Sequence, residues 1–263
     1  MVRVYLAVLL GSFWLLGSIG LLGSIWCMTV AAGAGDLLQV YGANVKWSPP
    51  LDGGPTIVSY AVLSGPRALS KRNGLLSANN CGAMQGLTDA VALSADVSSQ
   101  TVLDELQQAF AAWEHVANIK FVESADVDRA NIIIGATRVP KGKAFANLSL
   151  RHDAHGSAIA SALGDDRQTA IIATERGVTK RVEEINKAYV CLNANAQWKR
   201  GFDGNLDVYD LRHTFMHEIG HAIGLDHPDT MPAVMGFRYD ERTSELQPIE
   251  IAAVQKLYGA RKD

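Results

Sequence analysis

The residues best suited to chemistry lie between His217 and His227, where the sequence reads HExxHxxGxxH. Four residues advance a helix by a little more than one turn, so His217 and His221 would project from one face and could bind one ion. Gly224 would let the backbone leave the helix in a left-handed turn, which brings His227 back to the same ion. The motif therefore predicts a metal site with three histidine ligands.

Three neutral imidazoles suit zinc and leave its fourth position for water, as in catalytic zinc sites. Zinc would lower the pKa of that water, and Glu218 would take the proton and pass it to the leaving amine. The sequence thus predicts hydrolysis of peptide bonds, with one zinc ion as cofactor and Glu218 as catalytic base.

A chance match of the five fixed positions has a probability on the order of 10⁻⁵ at this composition. The alternative is a relative that keeps zinc without turning over substrate.

Composition narrows the range of partners. The chain has 263 residues, of which 48% are hydrophobic, and a formal net charge of -3. This length supports one well-buried domain. No basic run stands out along the sequence, so nucleic acid is not an expected partner. A peptide or protein substrate is expected instead, and we predict a monomer.

The first 34 residues form a separate segment in which Arg3 is the only charged side chain. A basic start, an apolar core and the small residues Ala32 and Ala34 at a plausible cleavage site are typical of a secretory signal peptide. Residues 4–34 are also long enough to span a bilayer, so an uncleaved signal anchor is the alternative. We predict a catalytic domain at residues 35–263, secreted or periplasmic, with a membrane contact only if the leader is not removed.

Two cysteines, Cys81 and Cys191, remain once the leader is removed. An even pair in an exported domain usually forms a disulfide. Two free or metal-bound thiols are the alternative.

The elements that would position the motif are predicted from hydrophobic periodicity and breaker residues. Helices are predicted at Ser99–His115, at Asp210–Ile223 with its end at Gly224, and at Pro248–Tyr258, with a short helix at Val178–Lys187. Strands are predicted at Thr56–Leu63, Ile119–Val122, Asn131–Ile134, Ala144–Leu150, Thr169–Thr174 and Tyr189–Leu192. Residues 36–55 are expected to form a loop, and residues 64–98 a long insertion. The pattern indicates one α/β domain with a mixed sheet and three main helices.

Beyond the motif, the chain resembles the matrixins, the matrix-metalloprotease-like family (peptidase M10, bacterial type) of the metzincin clan. The resemblance covers most of residues 47–259. Met235 lies eight residues after His227, which is the family's spacing. The other segments that resemble the family are Trp47 before a strand, Ala109–Trp113, Ile119–Phe121 and Leu257–Gly259. The resemblance implies a zincin-like α+β catalytic domain with a twisted mixed sheet, in which Met235 forms a hydrophobic floor beneath the metal. It also implies a substrate added as a strand along a sheet edge, and a pocket beside the zinc walled by Gly236, Phe237 and Tyr239.

Some features depart from this family and its clan. Phe237 stands where astacins and serralysins have a metal-linked tyrosine. No Pro-Arg-Cys-Gly segment precedes the domain, so a cysteine-switch propeptide is not expected, and Cys81 is interpreted as half of a disulfide. A second, structural zinc is not expected either, because Phe145 and Cys191 stand where that site would take histidines.

Two further clusters could bind a metal. His152, Asp153 and His155 form a small group, for which a solvated surface is the favoured interpretation because a closed site needs a fourth ligand. Residues 203–205 and Asp207 could bind calcium through oxygens, although a turn before a helix explains them equally well. We interpret His213, like His115, as a packing or surface residue.

Overall fold

The computed structural model describes residues 37–40, 43–68, 81–95, 97–138, 142–151, 170–173 and 179–262. These residues all lie in one compact unit. The helices within them are α1 (Leu87–Ala95), α2 (Ser99–Val116), α3 (Leu211–Ala222) and α4 (Pro248–Tyr258). The strands are β1 (Gln39–Val40), β2 (Ala43–Lys46), β3 (Thr56–Val62), β4 (Arg67–Ala68), β5 (Ala83–Met84), β6 (Ile119–Glu123), β7 (Ile132–Thr137), β8 (Ala144–Leu150), β9 (Ala170–Ala173), β10 (Thr179–Asn193), β11 (Trp198–Lys199) and β12 (Tyr209–Asp210).

The main sheet runs in the order β1-β2-β10-β7-β3-β6, and β8 and β9 also pair with β10. β10 is parallel to β2 and β7 and antiparallel to β8 and β9. Every residue of β7 is buried, because the strand lies in the middle of the sheet with both faces covered. The mixed sheet confirms the α/β class predicted from the sequence.

The long helix α2 supports the helix that carries the motif. Ser98 caps α2, since its hydroxyl accepts a hydrogen bond from the Thr101 N–H at 3.1 Å. The buried apolar face consists of Val102, Leu106, Ala109, Phe110 and Trp113. The indole N–H of Trp113 donates to the carbonyl of Met216 in α3 at 3.0 Å. This bond ties the two helices together directly beneath the motif.

The short helix predicted at Val178–Lys187 is wrong, because its described residues, 179–187, belong to β10. Lys180, Arg181, Glu183 and Glu184 make the stretch resemble an exposed helix by composition. In the structure the first half of β10 has β2 on one side and β9 on the other, and such pairing overrides local helix propensity. Glu183 is consequently buried within the sheet.

Two regions expected to be irregular contain regular structure. The predicted insertion, residues 64–98, includes α1, which adds a fourth helix to the three predicted ones. Its sequence, LTDAVALSA, is apolar on most sides and therefore shows no clear period. The predicted loop, residues 36–55, contains β1 and β2. In the described part of the chain, no helix is both long and apolar enough to cross a membrane. The predicted leader, residues 1–34, lies outside that part.

Candidate active site

Helix α3 presents the first part of the motif. Asp210 caps the helix, because its carboxylate accepts the His213 N–H at 2.8 Å. The helix ends at Ala222, and Gly224 follows with φ of +100°. A Cβ at Gly224 would lie 2.1 Å from the Val45 carbonyl oxygen of β2. Only glycine therefore fits this turn, as the motif predicted.

The turn brings three imidazoles together. His217, His221 and His227 each offer a ligand atom, and these atoms all lie within 4.8 Å of one another. The ring centroids are 4.7 to 5.2 Å apart. The Nε2 atoms of His217 and His221 lie 3.1 Å apart. The Asp226 carboxylate accepts the His227 backbone N–H at 2.8 Å and lies 3.5 Å from the ring Nδ1 of His227.

The protonation of the first two rings is fixed by carbonyl groups. Nδ1 of His217 lies 2.8 Å from the Val234 carbonyl oxygen, and Nδ1 of His221 lies 2.8 Å from that of Leu225. A carbonyl only accepts, so both Nδ1 atoms carry the proton and both Nε2 atoms keep a lone pair. Burial lowers the pKa of His221 to about 4 and holds the pKa of His217 well below its usual range.

Two facing lone pairs 3.1 Å apart repel each other unless a cation lies between them. Because burial disfavours a proton there, a divalent metal fits the site. Three neutral imidazoles are a zinc-type donor set. His217, His221 and His227 are thus the residues that could hold the ion.

Glu218 follows the first histidine on α3 and is 6% exposed. Burial raises the pKa of its carboxyl group to about 8. Glu218 and His217 both border a cavity of about 230 Å³. A carboxylate of raised pKa beside a metal site is a suitable proton acceptor, and a bound cation would lower that pKa again.

Met235 packs against α3 at Gly220. It is 1% exposed, and a Cβ at Gly220 would lie 2.2 Å from its Sδ. The segment around Met235 is held by Glu250 of α4, which sequence reasoning missed. The Glu250 carboxylate accepts hydrogen bonds from the N–H groups of Met235 and Val234. The sequence signal was present, because Glu250 stands at the third position of α4 and forms a capping box with Gln247.

The cavity beside Glu218 is bordered by all three residues expected to wall a pocket, Gly236, Phe237 and Tyr239. Phe237 is 81% exposed, and its ring lies 5.3 Å from that of His227. Tyr239 stacks on Tyr209 at 4.2 Å. Sequence reasoning missed further lining residues, namely Lys143, Ala144, Tyr209, His213 and Thr214. They come from separate parts of the chain, which no local pattern links.

The two cysteines expected to pair do so in the structure, which joins Cys81 to Cys191 by a disulfide. Cys191 lies in β10 opposite Phe145 of β8. Both cysteines are fully buried in a small apolar cluster with Leu63, Met84, Ile133 and Tyr189. Among the described residues, His217, His221 and His227 form the only group of histidines, cysteines and acids arranged to hold a metal. The cluster of His152, Asp153 and His155 lies outside the described ranges.

The suggested calcium ligands are bonded to a lysine. The Lys199 ammonium contacts the carboxylates of Asp203 and Glu241 and donates to the Asn205 carbonyl at 2.8 Å. The Asn205 N–H donates to the Asp203 carboxylate at 2.9 Å, which closes a turn. The structure therefore supports the turn interpretation of residues 203–205.

Comparisons with known proteins agree with this geometry. A probable matrix metalloproteinase of Invertebrate iridescent virus 3 is 39% identical over 61 residues, which cover 23% of this chain and 16% of the relative. A serralysin of Photorhabdus laumondii is 30% identical over 138 residues, 50% of this chain and 22% of the relative. The macrophage metalloelastase of Oryctolagus cuniculus is 26% identical over 167 residues, 62% of this chain and 30% of the relative. The chain thus spans less than a third of the length of these relatives.

Residues 87–259 match the family described as Matrixin, Peptidase_M10. This stretch begins at α1 and ends just after α4, so it contains the three histidines, Glu218, Met235 and Glu250. The chain belongs to the matrixin family.

Proposed function

We propose that this chain is a zinc-dependent endopeptidase, in which His217, His221 and His227 bind one zinc ion and Glu218 is the catalytic base. The observation that carries the proposal is the 3.1 Å approach of two unprotonated Nε2 atoms in a buried site. The relatives named metalloproteinase, serralysin and metalloelastase support the same class of reaction.

The edge of the sheet offers a place for an extended peptide. Among the described strands, β8 pairs with β10 alone, so an extended peptide could add to the sheet as a further strand beside β8. β8 begins at Ala144, which also lines the cavity beside Glu218. A peptide along β8 would therefore pass the three histidines and place one side chain in that cavity.

The chain's own residues account for the proton transfers. When bound, zinc supplies a Lewis acid that polarises the scissile carbonyl and lowers the pKa of water. Glu218 takes the proton of the attacking water and delivers it to the amine that leaves. Val234 and Leu225 keep the His217 and His221 rings oriented through Nδ1, so that both Nε2 atoms face the ion. Met235 closes the site from below and keeps it dry.

We also propose that the chain is exported, with residues 1–34 as a cleaved leader, and that it acts as a monomer. The Cys81–Cys191 disulfide supports an oxidising compartment. N-terminal sequencing of the exported protein would separate cleavage after Ala34 from retention of the segment as a membrane anchor. A sedimentation measurement would give the oligomeric state.

The Glu218→Ala variant tests the proposed activity. We expect wild type loaded with zinc to cleave a peptide library, and the variant to bind one zinc per chain but to cleave at least 100-fold more slowly. A chelator should abolish cleavage by wild type. If wild type and variant process the library equally poorly while both hold zinc, the chain is a zinc-binding protein without turnover and the proposal is wrong.

A further inference from the structure

Met231 differs from the other methionines in the described part of the chain. Its side chain is 40% exposed, whereas those of Met84, Met216 and Met235 are at most 2% exposed. It lines a groove of about 850 Å³, together with the exposed Leu206. A thioether sulfur reacts with peroxides to give a sulfoxide, and the sulfur that solvent reaches reacts first. Among these four methionines, Met231 is therefore the one that an oxidant in solution meets.

The Met231 side chain packs against the outer side of the cavity wall. This wall is the segment of residues 236–239, in which Phe237 and Tyr239 border both the groove and the cavity beside Glu218. A Cβ at Gly236 would overlap Sδ of Met231 and lie 2.8 Å from its Cε, so the thioether lies directly on the Gly236 backbone. Met231 therefore supports the wall from the groove side.

A shift of the wall would reach the metal site. Gly236 itself borders the cavity, and the ring of Phe237, the next residue, lies 5.3 Å from that of His227. Phe237 is 81% exposed, so few neighbours hold its ring in place. The packing of Met231 on Gly236 is thus one of the contacts that set the width of the cavity.

Oxidation would change this packing. When the sulfur lone pair attacks hydrogen peroxide, an S–O bond forms and the O–O bond breaks. The hydroxide that departs takes the proton of the transferred oxygen and leaves as water. An oxygen on the side of Gly236 has no room, because even a Cβ there would overlap the sulfur. An oxygen on the groove side is a polar acceptor, which the guanidinium of Arg238 in the groove can bind. Either epimer of the sulfoxide therefore loosens the apolar packing on the wall.

We propose that Met231 is an oxidation site that controls cleavage. A peroxide converts the residue to its sulfoxide, the wall of residues 236–239 moves, and cleavage slows until the sulfoxide is reduced. The inference rests on the proposed endopeptidase function and adds a means of regulating it.

Graded treatment of the zinc-loaded full chain with hydrogen peroxide tests the inference. Peptide mapping by mass spectrometry should find the added oxygen on Met231 before it appears on Met84, Met216 or Met235. We expect kcat/KM for a peptide substrate to fall by about 3- to 30-fold in step with that oxygen, since a displaced wall misplaces the substrate. The zinc content should stay at one ion per chain, which separates a moved wall from a lost metal. Methionine sulfoxide reductases for both epimers should restore the rate.

Two variants isolate the sulfur. In Met231→Leu the ratio of kcat/KM after and before peroxide should stay near one, because leucine offers no atom to oxidise. Met231→Gln places a polar group at the same point and should lower kcat/KM without any peroxide.

The outcomes separate the two proposals. If the untreated, zinc-loaded chain cleaves no peptide, the proposed function fails and its control by oxidation fails with it. If Met231 takes up oxygen without slowing cleavage, or if Met231→Leu loses as much activity to peroxide as wild type, the role of Met231 is wrong while the function stands. Oxidation of Met84, Met216 or Met235 before Met231 would overturn it as well. Should Met231→Leu fail to fold, wild type decides: a rate that returns as the reductases remove the oxygen from Met231 supports the inference, and a rate that stays low contradicts it.

Discussion

His217 is oriented by a chain of contacts that begins on another helix. Its Nδ1 donates to the Val234 carbonyl, and the N–H groups of Val234 and Met235 donate to Glu250. Glu250 is 2% exposed, so water does not compete for its carboxylate. The motif alone showed which residues could bind zinc. The capping-box pattern placed Glu250 at the start of α4, but it could not show that Glu250 contacts Met235, which lies 15 residues earlier in the chain.

Glu250→Gln should weaken zinc binding. The amide replaces an acceptor oxygen by a donor, so at least one backbone N–H loses its partner and the carbonyl that orients His217 can move. We expect a 10- to 100-fold lower zinc affinity, measured by competition with a chromophoric chelator. Glu245→Gln, an exposed position just before α4, is the matched control. Equal affinities in wild type and Glu250→Gln would show that Glu250 only caps its helix.

His213 should also make stability depend on pH. Its pKa is about 4 in the folded chain and about 6.5 when unfolded, so the unfolded state binds the proton more tightly. The stability that the neutral ring contributes is present above pH 6.5 and is lost as pH falls towards 4, by roughly 3 kcal/mol. Urea unfolding of the zinc-free chain at several pH values should show a steeper loss in wild type than in His213→Gln. Parallel pH profiles would contradict the assignment.

At the level of secondary-structure elements, the bounds predicted from the sequence were most accurate where one face of a helix or strand is buried. α2 and α4 and the strands β3, β6, β7 and β8 all lie within a few residues of their predicted positions. β10 was missed in its first half, because its charged residues resemble a helix until the partners β2, β8 and β9 are known. α1 was missed because an almost wholly apolar helix has no visible period. Both failures concern structure that neighbours in space determine.

Lys199 of β11 joins the loop of Asp203 to the loop of Glu241, which follows the cavity-lining residue Tyr239. Its ammonium contacts Asp203 on one loop and Glu241 on the other, and Glu241 in turn accepts the Tyr239 hydroxyl. Lys199 and Glu241 are only 12% and 8% exposed at their side chains. Removing the ammonium would leave the exposed Asp203 carboxylate facing the largely buried Glu241 carboxylate without a cation between them.

Lys199→Met should lower the stability and make the chain respond to calcium. The Asp203 and Glu241 carboxylates, with the Asn205 carbonyl, would then offer oxygens without a cation, which suits calcium. Thermal unfolding with and without millimolar calcium should show a rise in Tm for the variant and none for wild type. Lys256→Met, at an exposed position of α4, controls for the loss of a charge. An equal calcium response in wild type would mean that Lys199 does not occupy a cation position.

For the whole molecule, the site depends on segments far apart in the chain. α3 carries two of the proposed ligands, the turn at Gly224 leads to the third, and the segment of Val234 and Met235 is fixed by α4. The Val45 carbonyl of β2 lies so close to Gly224 that the turn has no room for a side chain. That the three histidines lie together could be predicted because the motif is local. The cavity could not, since its lining is assembled only when β8, α3 and residues 236–239 meet.

Zinc should therefore stabilise the entire fold and not only the motif. An ion that binds the folded chain alone adds about 4 kcal/mol at a thousandfold excess over its Kd. Urea unfolding at increasing free zinc should show this rise for wild type and for Glu218→Ala, because we propose Glu218 as the base and not as a ligand. His227→Ala should show a much smaller rise, since only two imidazoles remain. If Glu218→Ala lost the zinc effect as fully as His227→Ala, Glu218 would be a metal ligand, and its role as the base would have to be given up.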